Sequence, residues 1–271
     1  MTMTDNNYAS KLDFLFMEWQ QRMRANGEVY YDKKGELAFT KDGIVYKNGE
    51  ENEQTEQNWT NSSKRILFLL KDQHQKREKG ESFWSEDIRY WIKDVETDTD
   101  RALKQKRENR ELGNRFFKHL AYIFWGLSKA ETQNSWEFEE VIKNEHQVKK
   151  YFNTQPFAFV ECKKQPGDGK LDNKVLQRHL NDYGDLLKRE IEILNPNMIV
   201  CTSTYIYKFV QKMYNGELKT IEGHNSIRFH SNSGNLIFCS YHPSAFRRYS
   251  GKANYDSVMN HYRAFLKTNE L

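Results

Sequence analysis

Short continuous apolar runs alternate along this chain with longer stretches of helical period. Arg65-Ile-Leu-Phe-Leu-Leu70 has no polar position after its first residue, the pattern of a strand buried on both faces of a parallel sheet. Phe157-Ala-Phe-Val160, entered through Pro156, Met198-Ile-Val-Cys201 and Asn235-Leu-Ile-Phe-Cys239 repeat it. Between these runs, apolar residues at 176, 180, 183, 187, 191 and 194 predict a helix over 174–194 that stops before Asn195-Pro196. Phe116, Phe117, Leu120, Ile123, Phe124 and Leu127 predict a strongly apolar helix, with Phe116, Phe117 and Trp125 as core. Thr202-Ser-Thr204 caps a helix reaching about Met213, and a last helix spans about Tyr255 to Lys267. A further strand is read at 226–230. Strands alternating with helices imply βαβ units, so the expected fold is α/β: a three-layer α/β/α sandwich on a mainly parallel four-stranded sheet.

The first sixty residues read differently. Leu12, Leu15, Phe16, Trp19 and Met23 fall at helical spacing, which predicts an amphipathic helix ending near Asn26-Gly27. Glu28–Tyr31, Glu36–Phe39 and Gly43–Tyr46, separated by glycine-containing turns, read as a small antiparallel meander. Residues 47–63 are polar without periodicity and read as a linker. The expected division is therefore an N-terminal helix and small antiparallel extension over 1–63, and an α/β/α domain over 64–271. Residues 98–111 are a charge run, read as a solvated helical face.

Composition adds limits. With 14% aromatic and 30% charged residues, the 271-residue chain is that of a folded protein. A formal net charge of +4 permits a nucleic-acid partner without demanding one. Cys162, Cys201 and Cys239 each sit in or beside an apolar run and read as reduced core thiols, which points to the cytoplasm. No paired cysteine spacing supports zinc or an iron–sulfur cluster, so no metal or other cofactor is expected. No apolar run is long enough to span a bilayer.

The candidate chemistry lies where the strands end. Parallel strands would gather Lys71-Asp72-Gln73-His74, Glu161-Cys-Lys-Lys-Gln-Pro-Gly167 and Tyr241-His-Pro-Ser244 at one edge, where open α/β sheets bind ligands. Pro243 cannot donate to a ladder and drives His242 from helical dihedrals, so the last strand stops there. Asp72 could orient or activate water and His242 could stabilise charge on a leaving group. Lys163, Lys164, Arg247 and Arg248 could hold phosphates. Gly167 and Gly169 are expected to take positive φ in a loop.

These motifs, with Leu194-Asn-Pro-Asn-Met-Ile-Val-Cys201 between them, resemble in order and spacing the uracil-DNA glycosylase superfamily over roughly residues 64–267. The resemblance implies catalytic Asp72, positioning the hydrolytic water, and catalytic His242, stabilising the departing anionic base. It implies an aromatic, Phe83 or Trp84, stacked on a flipped base, and Phe246 wedged into the duplex. Lys71, Gln73, Glu161, Lys163, Lys164, Tyr241 and Ser244 would complete the substrate contacts, with Arg247, Arg248 and Lys252 on DNA. The Lys-Gln-Pro-Gly segment resembles the Arg-Pro-Pro-Gly loop of the family's iron–sulfur branch, but the cluster cysteines are absent. Lys-Asp-Gln-His replaces the family's glycine- and proline-rich first motif. Phe159 or Glu161 stands where an asparagine would read the pyrimidine edge.

Bland roles stand beside the sharp ones. Asp72 could cap a turn, Glu161 could pair with Lys163 or Arg178, His74 reads as a solvent-facing loop histidine, and the aromatics at 83–91 could simply pack. Three functions remain open. One is a monomeric DNA glycosylase-like hydrolase cleaving the N-glycosidic bond of a damaged or modified, uracil-like base in duplex or single-stranded DNA. Another is an inactive glycosylase-fold module that binds DNA or nucleotides. The third is a nucleoside-processing enzyme.

Overall fold

The computed structural model describes residues 7–28, 31–47, 50–75, 81–91, 115–132, 134, 136–167, 171–230, 233–245 and 250–268. Its elements are α1 (Tyr8–Ala25), β1 (Thr40–Lys41), β2 (Gly43–Ile44), α2 (Asn52–Asn61), β3 (Ile66–His74) and β4 (Glu86–Asp87), followed by a 3₁₀ turn at Ile88–Tyr90. Then come α3 (Arg115–Lys129), α4 (Phe138–Lys143), α5 (Glu145–Thr154), β5 (Ala158–Gly167), α6 (Asn173–Leu194), β6 (Met198–Cys201) and α7 (Thr204–Met213). The chain closes with β7 (Leu218–Ile221), β8 (His224–His230), β9 (Asn235–Cys239) and α8 (Gly251–Thr268).

The main sheet has seven strands in the order β2-β5-β3-β6-β9-β8-β7. The four apolar runs form its centre, and β5-β3, β3-β6 and β6-β9 are parallel. The expectation of a mainly parallel four-stranded sheet is corrected at both edges, where β2, β8 and β7 pair antiparallel. Tight connections explain β7 and β8: Gly223, at φ 75°, turns the chain straight back. The central strands are apolar on both sides because each face is covered. One face packs on α3, α5 and α8 through residues such as Phe68, Phe159 and Phe238. The other packs on α1, α6 and α7 through Leu67, Val160 and Ile237.

The N-terminal residues depart from the antiparallel meander. Among the described residues, a bridge between Tyr31 and Leu37 is what remains of it. β1 instead pairs parallel with β4, and β2 forms an edge of the main sheet. Leu12, Leu15, Phe16, Trp19 and Met23 share a core cluster with the sheet. The expected linker contains α2, a polar helix with little hydrophobic periodicity, since it buries only Thr55, Glu56 and Trp59. Trp59 Nε1 donates to the Leu194 carbonyl at 2.9 Å, tying α2 to the end of α6. That helix ends as expected, with Asn195 in the left-handed region at φ 45°. The charge run at 98–111 lies outside the described residues.

Candidate functional site at the strand ends

Parallel pairing brings the three motifs to one edge of the sheet. β3 and β5 are neighbours, with Asp72 opposite Lys163, and β9 follows on the far side of β6. Both β3 and β5 run further than their apolar cores. Glu161 to Gly167, expected as a loop, is strand, because its backbone pairs with β3 and the ammonium groups of Lys163 and Lys164 find partners inside the fold. The ladder shifts register between Asp72 and His74, which oppose Lys163 and Gly167. This bulge turns the strand end and re-aims its side chains.

Asp72 lies 3.7 Å from the Lys163 ammonium; Lys163 is buried and the Asp72 side chain is 10% exposed. Burial raises the Asp72 pKa, an effect that Lys163, His74 and Lys71 only partly offset. Lys163 also donates to the Gln165 carbonyl at 2.5 Å and the Pro166 carbonyl at 3.3 Å, closing the bulge around itself. Gly167 is required by proximity and not by a positive φ: a Cβ there would meet Asp72 Oδ2 at 2.5 Å. Glu161 is 3% exposed, and its backbone N–H donates to Asp42 Oδ2 at 2.6 Å. Burial, and then the charges of Asp72 and Asp42, push its carboxyl well above the usual carboxylate range. Beside Asp72, Glu161 thus holds its proton more tightly than an ordinary carboxylic acid does.

His242 occupies the opposite side of the site. Its Nδ1 accepts from the Ser244 N–H at 3.2 Å. The neutral ring therefore carries its proton on Nε2, free to be donated. Burial and the Lys71 charge lower its pKa to about 4, so the ring is neutral at physiological pH. The loop is fastened from α3, where His119 donates from Nδ1 to the Pro243 carbonyl at 2.7 Å. It is fastened from α8 by Asn254 Nδ2, 3.4 Å from the Tyr241 carbonyl. Phe116, expected as core, is half-buried, with its ring 6.1 Å from that of His242. No motif marks Phe116 or His119; they emerge from the docking of α3 against the loop.

The other expected site residues fall in three groups. Lys71, Tyr241 and Ser244 sit with Asp72 and His242, Lys71 lying 3.4 Å from Asn173 Oδ1. Gln73 is turned into structure, accepting from Thr40 Oγ1 at 3.0 Å and donating to Glu86. Phe83 is buried, and the Trp84 backbone is held by the Gln75 amide. Lys164 is held inside the fold by Asp42 and Glu190, at 2.6 Å and 2.8 Å. Lys163 is likewise buried, so neither lysine presents its ammonium to a phosphate. Arg178 pairs with Glu28, and Glu161 with neither expected partner. Lys252 is exposed and donates to Glu139 at 2.9 Å. Phe246, Arg247, Arg248 and Gly169 lie outside the described residues.

Among the described residues no cluster of three or more histidine, cysteine or acidic side chains could hold a metal, and no helix is long and apolar enough to cross a membrane. The curated proteins searched contain no match to the chain. The family model for the uracil DNA glycosylase superfamily matches residues 49–267, from the start of the α2 region to the last helix. The matched span takes in both the strand carrying Asp72 and the loop carrying His242, and the chain belongs to the uracil-DNA glycosylase superfamily.

Proposed function

We propose that the protein is a DNA glycosylase-type hydrolase that cleaves the N-glycosidic bond of a damaged or modified base. Proteins of the superfamily act on DNA. The observation that supports the reading is a carboxylate and a neutral, Nε2-protonated imidazole at the carboxyl ends of two parallel strands, β3 and β9, that flank β6. The Asp72 carboxylate accepts a proton from water as the water oxygen bonds to C1′ of the sugar. The C1′–N bond breaks, and its electron pair leaves on the base. His242 Nε2–H donates a hydrogen bond to the base oxygen on which that charge collects. The products are the free base and an abasic sugar. Extruding the base costs a few kcal/mol of unstacking, and the half-buried Phe116 beside His242 is the aromatic face best placed to offset it.

The test is alkali cleavage at abasic sites, in buffer without metal, on labelled single- and double-stranded DNA carrying uracil, hypoxanthine, xanthine or a bulky modified pyrimidine. Strand breaks at one modified base are expected, and His242→Ala should slow their formation about 100-fold. Salt-sensitive binding with no breaks on any substrate would replace the hydrolase with a binding module. Turnover of free nucleosides with negligible DNA affinity would instead move the substrate off DNA.

Gly167→Ala gives an independent check on Asp72. The new methyl would overlap Asp72 Oδ2, so the carboxylate must move. A misplacement of about 1 Å costs on the order of 100-fold in rate, and comparable losses are expected here without loss of DNA affinity. A Gly167→Ala enzyme as fast as the parent would mean that the carboxylate's position is irrelevant to the chemistry.

A further inference from the structure

The tautomer of His242 depends on one backbone group, and that group is itself held from another helix. His242 Nδ1 accepts from the Ser244 N–H at 3.2 Å. The same peptide unit presents its oxygen, the Pro243 carbonyl, to His119 Nδ1 at 2.7 Å. A peptide unit is planar, and in the trans form found here its C=O and N–H point in opposite directions. Fixing the carbonyl on one side therefore aims the N–H on the other. A carbonyl can only accept, so the His119 proton lies on Nδ1. Burial lowers the His119 pKa against the pull of that carbonyl, and Arg115 and Lys118 on its own helix lower it further, so the ring is neutral at physiological pH. On its far side the ring is backed by Gly251 at the start of α8, where a Cβ would lie 3.2 Å from Nε2. The other ties on the loop are weaker or internal. Asn254 Nδ2 lies 3.4 Å from the Tyr241 carbonyl, near the outer limit of a hydrogen bond. The 2.8 Å bond from the Ala245 N–H to the His242 carbonyl closes the loop only on itself.

We propose that His119 is the positioning residue for His242, acting through the one peptide plane between Pro243 and Ser244. The relay runs from His119 Nδ1–H to the Pro243 oxygen, and from the Ser244 N–H to His242 Nδ1. Each bond polarises the peptide in the sense that strengthens the other. With its Nδ1 lone pair engaged, His242 keeps its proton on Nε2, the donor that the proposed chemistry uses. That catalytic consequence rests on the glycosylase reading; the relay itself does not. Without the His119 donor the peptide is free to turn, and His242 Nδ1 loses a fixed partner. The loop then relaxes towards water, and the burial that lowers the His242 pKa weakens, leaving Lys71 on β3 as the charge that still lowers it. Helix α3 supplies both His119 and, one turn earlier on the same face, Phe116, so its docking sets the side of the site where the base would leave.

The test compares the full chain with His119→Leu, which removes the donor, and His119→Asn, whose amide Nδ2 can replace it. Long-range proton–nitrogen NMR on histidine-labelled protein reads the tautomer and pKa of each ring, with His242 assigned from the His242→Ala spectrum. In the parent, His242 should be the Nε2–H form titrating near pH 4, and His119 the Nδ1–H form. His119→Leu should mix the His242 tautomers and move its pKa toward the ordinary histidine value of about 6.5. His119→Asn should restore both. On a modified-base duplex that the parent cleaves, His119→Leu should slow single-turnover cleavage about 10- to 100-fold. Affinity for a duplex holding a tetrahydrofuran abasic analogue should not change, and His119→Asn should recover most of the rate. A parent-like His242 spectrum in His119→Leu would overturn the proposal and leave His119 a packing residue. If His119→Leu does not fold, the parent and His119→Asn decide. An Nδ1–H His119 in the parent with a parent-like His242 in His119→Asn would uphold the relay, and an Nε2–H His119 would end it. A parent that cleaves nothing would remove the glycosylase reading, and the His242 spectra would still decide the relay.

Discussion

Replacing Lys164 by methionine should destabilise the fold by about 3–5 kcal/mol, read as a lower urea midpoint at unchanged m-value. The Lys164, Asp42 and Glu190 side chains are all fully buried. Lys164 Nζ donates to Asp42 Oδ1 and Oδ2 at 2.6 and 2.7 Å and to Glu190 Oε1 at 3.0 Å. Burial works against the ammonium, but Asp42 and Glu190 more than offset it, and its pKa ends above the ordinary lysine value. Burial and the adjacent Asp42 push Glu190 well above the usual carboxylate range, and the one ammonium lies against both carboxylates. Lys164→Met leaves Asp42 buried without a counter-charge. The methionine itself would pack acceptably, since Phe16 and Trp19 already lie around the ammonium. The triple replacement Asp42→Asn, Lys164→Met, Glu190→Gln should therefore recover most of the loss. A single Lys164→Met variant as stable as the parent would mean that Asp42 finds water or another cation in the fold. Asp42 also accepts the Glu161 N–H, so the same cluster anchors the strand that carries the candidate site.

That cluster also shows what the sequence could and could not reveal. The four central strands were legible because each is a continuous apolar run whose burial needs no partner to be named. Helix α6 was legible because its apolar positions keep one period over 22 residues. The polar end of β5 was not, since Lys164 is neutralised by a residue 122 positions earlier and no local pattern records so distant a pairing. Taken alone, Glu-Cys-Lys-Lys-Gln reads as solvated chain. The short edge strands and the polar α2 failed for a related reason: few of their side chains are buried, so hydrophobic periodicity has little to report. In the site, Asp72 and His242 stood out because each ends an apolar run. Phe116 and His119 did not, because their place beside the His242 loop comes from the docking of α3.

Asp72→Asn should slow cleavage by about 1,000-fold, and its pH profile should identify why. Water activation requires an ionised Asp72, and charge stabilisation requires a neutral His242. His242 gives up its proton above about pH 4, so any part of the acid limb that lies above that pH belongs to Asp72. Burial places that limb above the ordinary aspartate value of 3.8. The rate should fall as pH drops through it, and Asp72→Asn should be slow with no such limb. Stability should respond in the opposite direction. Folding strengthens the hold of Asp72 on its proton, so between the unfolded and folded pKa values the folded chain carries more protons than the unfolded one. This group's contribution therefore declines as pH rises from 3.8 through the folded pKa, and stays lower above it. The ionised carboxylate that the chemistry needs is thus the form the fold favours less. Urea unfolding of parent and Asp72→Asn across this range should show the decline in the parent and its loss in the variant. An Asp72→Asn enzyme that keeps the parent's acid limb would assign that limb, and the water-directing role with it, to another group.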